Sequence, residues 1–195
     1  MGTSLLPGRS WALAVQERHA LIPLHLSTQY ELAAWEQANM AKALAWLEQR
    51  RRRGSVLTSR FMRSLHMKMF DETWDHAGRY RRARSSRGVA AWTVSTRVED
   101  VIAKVRGWIQ VEAYPPDEIA VRFHHRMSEV HPFERGNGRV TRLMADALMV
   151  EFRQTPFTWG ARSGLSAADL QERYVAALRV ADNDNISILL AFAHS

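Results

Sequence analysis

The sequence contains no cysteine. Disulfide bonds, thiolate nucleophiles and cysteine-ligated zinc sites are therefore excluded. It also lacks any continuous apolar run approaching the ~20 residues that a membrane-spanning helix needs. Its first residues, MGTSLLPGRSWALAVQERH, do not show the charged start and apolar stretch of a signal peptide. These absences predict a cytoplasmic enzyme or binding domain with no membrane partner.

Acidic residues are fewer than basic ones, 20 against 27, so the formal net charge is +7. Such an excess favours phosphate-bearing partners, either nucleotides or nucleic acid. The basic residues are concentrated in two runs, Arg50–Arg53 and Arg79–Arg87. Each run is also compatible with an ordinary solvated surface. A basic nucleic-acid-binding protein is therefore one interpretation that stays open.

Apolar residues recur at helical spacing through most of the 195 residues. Thr28 followed by Glu31 is a capping-box pattern and predicts the start of a helix. The predicted helices are Thr28–Gln49, Thr58–Trp74, Val98–Gln110, one from Pro115 to Val130, Gly138–Phe152, Ser166–Asp182 and Ile186–His194. Residues 79–96 carry glycine, serine and a β-prone run, which predicts a short hairpin instead. The chain is expected to form one all-α domain.

The stretch HPFERGNGRVTR, residues 131–142, lies between two predicted helices. Glycines let a ligand approach the backbone closely, and the first N–H groups of a helix form an anion site. Arg139 and Arg142 are three residues apart, so both project from neighbouring parts of one helix face, and guanidinium groups bind phosphate oxygens in pairs. A histidine with the usual pKa of about 6.5 is largely neutral near pH 7, and His131 can therefore accept a proton. The pattern predicts a polyphosphate site with a general base beside it.

This stretch resembles the signature of the Fic family, HPFx(D/E)GN(G/K)R followed by a second arginine. The matching positions are His131, Pro132, Phe133, Gly136, Asn137, Gly138, Arg139 and Arg142. The wider segment from about residue 21 to 193 is similar to the subgroup called mobile mystery protein B. The resemblance implies an all-α Fic-type helical domain over residues 27–195, preceded by an N-terminal extension over residues 1–26. It also implies a small β-hairpin flap at about residues 79–96.

The resemblance further implies a protein nucleotidyltransferase. Such an enzyme usually moves AMP from ATP onto a Ser, Thr or Tyr hydroxyl of a target protein (AMPylation). His131 would deprotonate that hydroxyl, and Phe133 would anchor the loop in the core. The phosphates would be bound by the loop backbone, the Asn137 side chain and the arginines, which gives the set Gly136, Asn137, Gly138, Arg139 and Arg142. The flap residues Gly88, Val89, Trp92 and Val94 would clamp an extended target segment by strand addition.

The sequence departs from the family signature at Arg135, where family members have an acidic Mg²⁺ ligand. Glu134 is the only carboxylate in the loop, and adjacent loop residues rarely point the same way. Three interpretations stay open. In the first, Arg135 itself neutralises the phosphate charge and weakens the requirement for a metal ion. In the second, Mg²⁺ is held through phosphates, Asn137 and water. In the third, transfer is lost and a degenerate module that binds a nucleotide or a partner protein remains.

Fic proteins often carry an inhibitory helix with the pattern (S/T)xxxE(G/N), whose glutamate pairs with the second signature arginine. Glu36 is the candidate in this sequence, and Arg142 is its expected partner. Leu32 and Gln37 occupy the flanking positions of the pattern, so an ordinary solvated glutamate is the alternative. The similarity to the mobile mystery protein B subgroup also implies a companion helix-turn-helix protein.

Overall fold

A computed structural model describes residues 12–50 and 55–195 of the chain. These residues form eight α-helices, in the order α1 Val15–Ala20, α2 Gln29–Arg50, α3 Ser59–Phe70, α4 Val94–Gln110, α5 Pro116–Val130, α6 Asn137–Glu151, α7 Ala167–Ala181 and α8 Ser187–His194. The β pairing among them is confined to two isolated bridges. The all-α fold class is confirmed. Residues 1–11 of the expected N-terminal extension and most of the run Arg50–Arg53 lie outside the described residues.

Helix starts follow the local capping chemistry of the sequence. The Thr28 hydroxyl accepts a hydrogen bond from the Glu31 N–H at 3.2 Å, and the Glu31 carboxylate accepts one from the Thr28 N–H at 3.0 Å. This reciprocal pair is a capping box, as the pattern predicts. Thr58 caps α3 in the simpler way, accepting from the N–H three residues on. Pro116, the first residue of α5, has no N–H to leave unpaired at the helix start.

The helix predicted over Thr58–Trp74 ends at Phe70 in the structure. Turns follow from there to Gly78, which has a φ of 74°. This turn folds the indole of Trp74 into the core, and the residue is therefore 1% exposed. The backbone of Trp74 forms an isolated antiparallel β-bridge with Leu21. The prediction of four further helical residues is therefore wrong, since long-range packing outweighs the local helical pattern here.

The hairpin predicted over residues 79–96 is wrong. This segment, which we call the flap, has no strand: it is irregular up to Ala90, and a 3₁₀ turn at Ala91–Thr93 leads into α4. Val94 and Val98 are buried on the inner face of α4. A β-branched residue buried at helical spacing looks the same in sequence as one in a strand, which explains the error. Val89 donates its N–H to the Val130 carbonyl at 3.3 Å, so the flap pairs with the end of α5.

Helix α5 is the centre of the core and packs between α4 and α6. Phe123 and Met127 on α5 are fully buried, as are Met144 and Leu148 on α6. The loop that joins these two helices is therefore fixed at both ends by the best-packed part of the molecule. Within the described ranges, every helix is too short or too polar to cross a bilayer.

Candidate active site

The loop between α5 and α6 opens onto a cleft of about 770 Å³. A volume of this size is typical of sites for small-molecule ligands. The flap forms one wall, α7 forms another, and residues from the C-terminal part of α5 complete the lining. Of the predicted site residues, the cleft is lined by Gly88, Val89, His131, Arg135, Gly136, Asn137, Gly138, Arg139 and Arg142.

His131 ends α5 in a left-handed conformation, with φ 52° and ψ 61°. Non-glycine residues rarely adopt this conformation, and strained backbone of this kind is concentrated at functional sites. The pKa of His131 is lowered, first by partial burial and then by the positive charges of Arg81 and Arg87. Its imidazole is therefore neutral near pH 7 and able to accept a proton.

Arg81 holds this histidine in place, a role that sequence reasoning missed. Its guanidinium is 3% exposed and donates to the His131 carbonyl at 2.7 Å and also to the Val89 carbonyl. Its backbone N–H donates to the Pro132 carbonyl at 2.9 Å. One buried side chain thus joins the flap to the end of α5. No local sequence feature separates Arg81 from the neighbouring arginines, because only tertiary contacts distinguish it.

The flap touches the catalytic candidate directly at Gly88. This glycine has a φ of 85°, and a Cβ there would lie 2.4 Å from the Cβ of His131. Only glycine permits this approach. Of the remaining predicted flap residues, Val89 also lines the cleft, whereas Trp92 is 87% exposed and is not part of the cleft lining. Val94 is buried in the core at 1% exposure, so its assignment to a target-binding flap is wrong.

The phosphate-binding candidate is the N-terminus of α6. Gly136 precedes the helix with a φ of 74°, and a Cβ at this position would lie 2.4 Å from the ring of Phe70. The first N–H groups of the 15-residue helix have no acceptor within the helix and carry the positive end of its dipole. Backbone donors and a positive dipole end at a cleft wall make an anion site.

Asn137 has a different role from the one expected. Its Oδ1 accepts the Phe133 N–H at 2.8 Å, and its Nδ2 donates to the Phe133 carbonyl at 2.8 Å. The side chain is buried, and both of its polar atoms bond the loop itself. The amide therefore shapes the loop, and its expected contact with phosphate oxygens stays a prediction.

His66 supports the same loop from the core side, and sequence reasoning missed it as well. Its Nδ1 accepts the Gly78 N–H at 2.9 Å, so its Nε2 carries the proton and donates to the Arg135 carbonyl at 3.0 Å. The ring stacks on Phe133, with 3.8 Å between ring centroids. Burial lowers the pKa of His66 to about 4. A neutral histidine thus ties the flap's beginning to the phosphate loop.

Glu36 forms an ion pair with an arginine that lines the cleft, but this arginine is not the predicted partner. Its Oε2 lies 2.8 Å from a guanidinium nitrogen of Arg139, and its Oε1 accepts the Trp74 indole N–H at 2.8 Å. Arg142 instead lies over the ring of Tyr174, 4.9 Å from its centroid. The expected pairing of Glu36 with Arg142 is therefore wrong, because Arg142 faces α7 while Arg139 faces α2.

Glu134 and Arg135, where the sequence departs from the family signature, point in different directions. Arg135 lines the cleft, and its guanidinium lies 4.7 Å from the ring centroid of Trp74. Glu134 turns towards His76, with 3.7 Å between their charged atoms, and does not line the cleft. Mg²⁺ in proteins is usually held by one or two carboxylates. The loop presents none to the cleft, so its residues do not fit a protein-bound Mg²⁺.

One group elsewhere in the cleft has suitable metal-ligand spacing. Among the described residues, ligand atoms of His125, Glu129 and Asp182 lie within 4.8 Å of one another. His125 already bonds Asp182 at 2.9 Å, and Arg126 bonds Glu129 at 3.1 Å. A cation there would therefore displace existing partners.

Comparisons with known proteins show a similarity to one family over the segment that holds this site. The model of the Fic/DOC family matches residues 56–149, which include the flap, α5, the loop and most of α6. This chain is therefore similar to the Fic/DOC family over a little less than half of its length. Among curated protein sequences, none matches this chain significantly.

Solved structures share the Fic fold. Fic-1 from C. elegans has 21% identity and a TM-score of 0.61, with 80% of this chain and 46% of that chain covered. Bep8 from Bartonella sp. 1-1C has 11% identity and a TM-score of 0.68, with 89% of each chain covered. BepC from Bartonella tribocorum, solved with bound AMPPNP, has 14% identity and a TM-score of 0.63, covering 93% of this chain and 97% of that one. This chain thus spans less than half of the solved C. elegans chain.

Proposed function

We propose that this chain acts as a Fic-type enzyme and transfers AMP from ATP onto a Ser, Thr or Tyr hydroxyl of a target protein. The observation that carries the proposal is a neutral, strained His131 in one cleft with the N-terminus of α6 and its arginines. A base for the acceptor hydroxyl and an anion site for the donor phosphates are the two groups that nucleotidyl transfer needs. The AMPPNP bound by the similar BepC is consistent with ATP as the donor.

In the proposed reaction the triphosphate lies against the first turn of α6. His131 accepts the proton of the target hydroxyl, whose oxygen then forms a bond to the α-phosphorus. The bond between this phosphorus and the oxygen that bridges to the β-phosphate breaks, and pyrophosphate leaves. Arg142 and Arg139 neutralise the charge that develops on the leaving group. Positioning and charge neutralisation supply most of the rate in such reactions.

In this reaction Arg135 has a different role from the acidic residue that Fic family members carry at the same position of the signature. Its positive charge in the cleft offsets phosphate charge, which an acidic residue could do only by holding a metal ion. Since the loop offers no carboxylate to the cleft, Mg²⁺ would have to be held by phosphates and water. No step of the proposed reaction is assigned to a metal ion.

The second candidate function is a Fic module that binds a nucleotide or a partner protein without transfer. Two observations favour it: Arg135 stands at the position of the metal ligand, and Glu36 occupies Arg139 at 2.8 Å. Both features leave nucleotide binding possible while removing groups that the transfer step uses. The two candidates therefore agree on the ligand and differ on the reaction.

One experiment separates the two functions. Purified protein is incubated with α-labelled ATP and a cell lysate, with and without Mg²⁺, beside a His131→Ala variant. Transfer predicts label on protein in the wild-type reaction, reduced about 10²- to 10⁴-fold in the variant, with ATP binding retained in both. Bound ATP without any labelled protein would instead identify a binding module. Equal labelling by both proteins would remove His131 as the base.

A further inference from the structure

The flap carries an exposed arginine group made of Arg82, Arg84 and Arg87, which we call the arginine strip. Within the described part of the chain, none of the three guanidinium groups has an ion-pair or hydrogen-bond partner. Residues 79–96 contain no acidic residue at all. The strip is therefore a patch of positive charge that no contact within the described part of the chain neutralises.

The buried Arg81 fixes where the strip lies. Its guanidinium donates to the carbonyls of Ala83, at 3.4 Å, and Val89, and thus secures both ends of the segment that bears the strip. Gly88 brings this segment against His131, and Arg87 lines the cleft. The segment that bears the strip is consequently held against His131, and Arg87 is the strip residue that reaches the cleft.

An unpacked indole accompanies the strip. Trp92 lies on the 3₁₀ turn that follows the flap's irregular part, and it is 87% exposed. Exposed tryptophan and arginine are the residue types most enriched at the energetically dominant positions of protein interfaces. Their combination indicates a surface that binds another macromolecule.

The carboxylates around the cleft do not cancel this charge. Glu129 pairs with Arg126 at 3.1 Å, Asp182 bonds His125 at 2.9 Å, and Glu36 is held by Arg139. Each of these acids already has a local partner. The uncompensated charge on the flap side of the cleft is positive, so a ligand that approaches His131 past the flap meets a positive field.

We propose that the arginine strip selects acidic target segments, in which the accepting hydroxyl is flanked by Asp or Glu. This proposal rests on the proposed function, because it names the substrate class of the same site. Guanidinium groups pair with carboxylates in charge-assisted hydrogen bonds, and Trp92 adds apolar contact that is independent of charge. A peptide fits better than DNA, since specific DNA-binding proteins typically make about 6–10 phosphate contacts and the strip has three cations.

Binding is measured first, because it needs no catalysis. Nine fluorescein-labelled peptides of equal length combine one central Ser, Thr or Tyr with Glu, Gln or Lys at the flanking positions. Fluorescence anisotropy at low salt should show the Glu peptides binding about tenfold more tightly than the Gln peptides. An exposed arginine–carboxylate pair contributes up to about fivefold, and about twofold from each of three pairs is enough for this ratio. Equal affinity for Glu and Gln peptides would overturn the proposal.

Variants then locate the preference. The double variant Arg82→Gln with Arg84→Gln should lower the Glu-to-Gln affinity ratio to about twofold, the share of the remaining Arg87. Arg153→Gln is the matched control, since Arg153 follows the far end of α6, about 22 Å along the helix from the cleft. The control should keep the wild-type ratio. A preference that stays near tenfold in the double variant would show that the acidic segment binds elsewhere, and it would refute the proposed role of the strip. Circular dichroism and ATP affinity confirm that the variants remain folded.

Transfer of α-labelled AMP to the same peptides separates this proposal from the proposed function. Label on Glu peptides in preference to Gln peptides supports both. Label without a charge preference refutes the acidic substrate class alone, whereas acid-selective binding without any label refutes AMP transfer alone. A DNA duplex that displaces the Glu peptide, and binds more tightly through the same arginines, would show that the strip is a nucleic-acid surface and overturn the proposal.

Discussion

Acid should weaken the phosphate loop through His66, and the size of the effect follows from its burial. The pKa of His66 falls from an ordinary 6.5 to about 4 in the folded protein. Because the folded state disfavours protonation, the stabilising contribution is complete above pH 6.5 and is lost as pH falls towards 4. The shift corresponds to about 3 kcal/mol in total, of which about 2 kcal/mol should already be lost at pH 5.

A His66→Gln variant isolates this contribution. Glutamine does not titrate, and its amide can still donate to the Arg135 carbonyl, although the stacking on Phe133 is lost. We expect the variant to be about 1–3 kcal/mol less stable at pH 7.5, from the lost hydrogen bond to Gly78 and the lost packing. Other titrating groups are common to both proteins, so they cancel in the difference between them.

The assay is urea unfolding of both proteins at a series of pH values from 7.5 to 4.5, followed by circular dichroism. The stability gap between wild type and variant should shrink by about 2 kcal/mol between pH 7.5 and pH 5. A gap that stays constant over this range would refute the reasoning, since it would mean that His66 is not held neutral by the fold.

Three further predictions concern the cleft. Arg87→Gln removes a positive charge that lowers the pKa of His131, so the acid limb of the pH–rate profile should move to higher pH; an unmoved limb would count against His131 as the titrating base. Glu36→Gln should free Arg139 and raise ATP affinity by about 2- to 10-fold in calorimetry, because a partly buried ion pair no longer competes with phosphate. Arg135→Asp should make transfer depend more steeply on Mg²⁺, in a metal titration against wild type, and no gain in metal dependence would show that Arg135 is not simply a missing ligand.

Helix positions could be predicted from the sequence because their signals are local. Thr28 with Glu31 and Thr58 cap helices that begin within one residue of the expected places. The hairpin could not be predicted correctly, since Val94 and Val98 satisfy both a strand pattern and a helix pattern. Burial against the rest of the core decides between the two, and burial is a property of the folded chain.

The same distinction applies to the site. The motif around His131 could be recognised because its residues are contiguous, and they do line one cleft. The supporting residues could not, because His66 and Arg135 are 69 positions apart and Arg81 is 50 positions from His131. Asn137 shows a third limit: the loop's own backbone uses its amide, and residue type alone does not reveal such competition.

A structure of the protein with a non-hydrolysable ATP analogue would test the central claim most directly. We predict phosphate oxygens about 3 Å from the first backbone N–H groups of α6, with Arg142 on the distal phosphates and the His131 imidazole facing the α-phosphorus. A triphosphate bound away from the α6 N-terminus, or an α-phosphorus out of reach of any hydroxyl that His131 could deprotonate, would contradict the account.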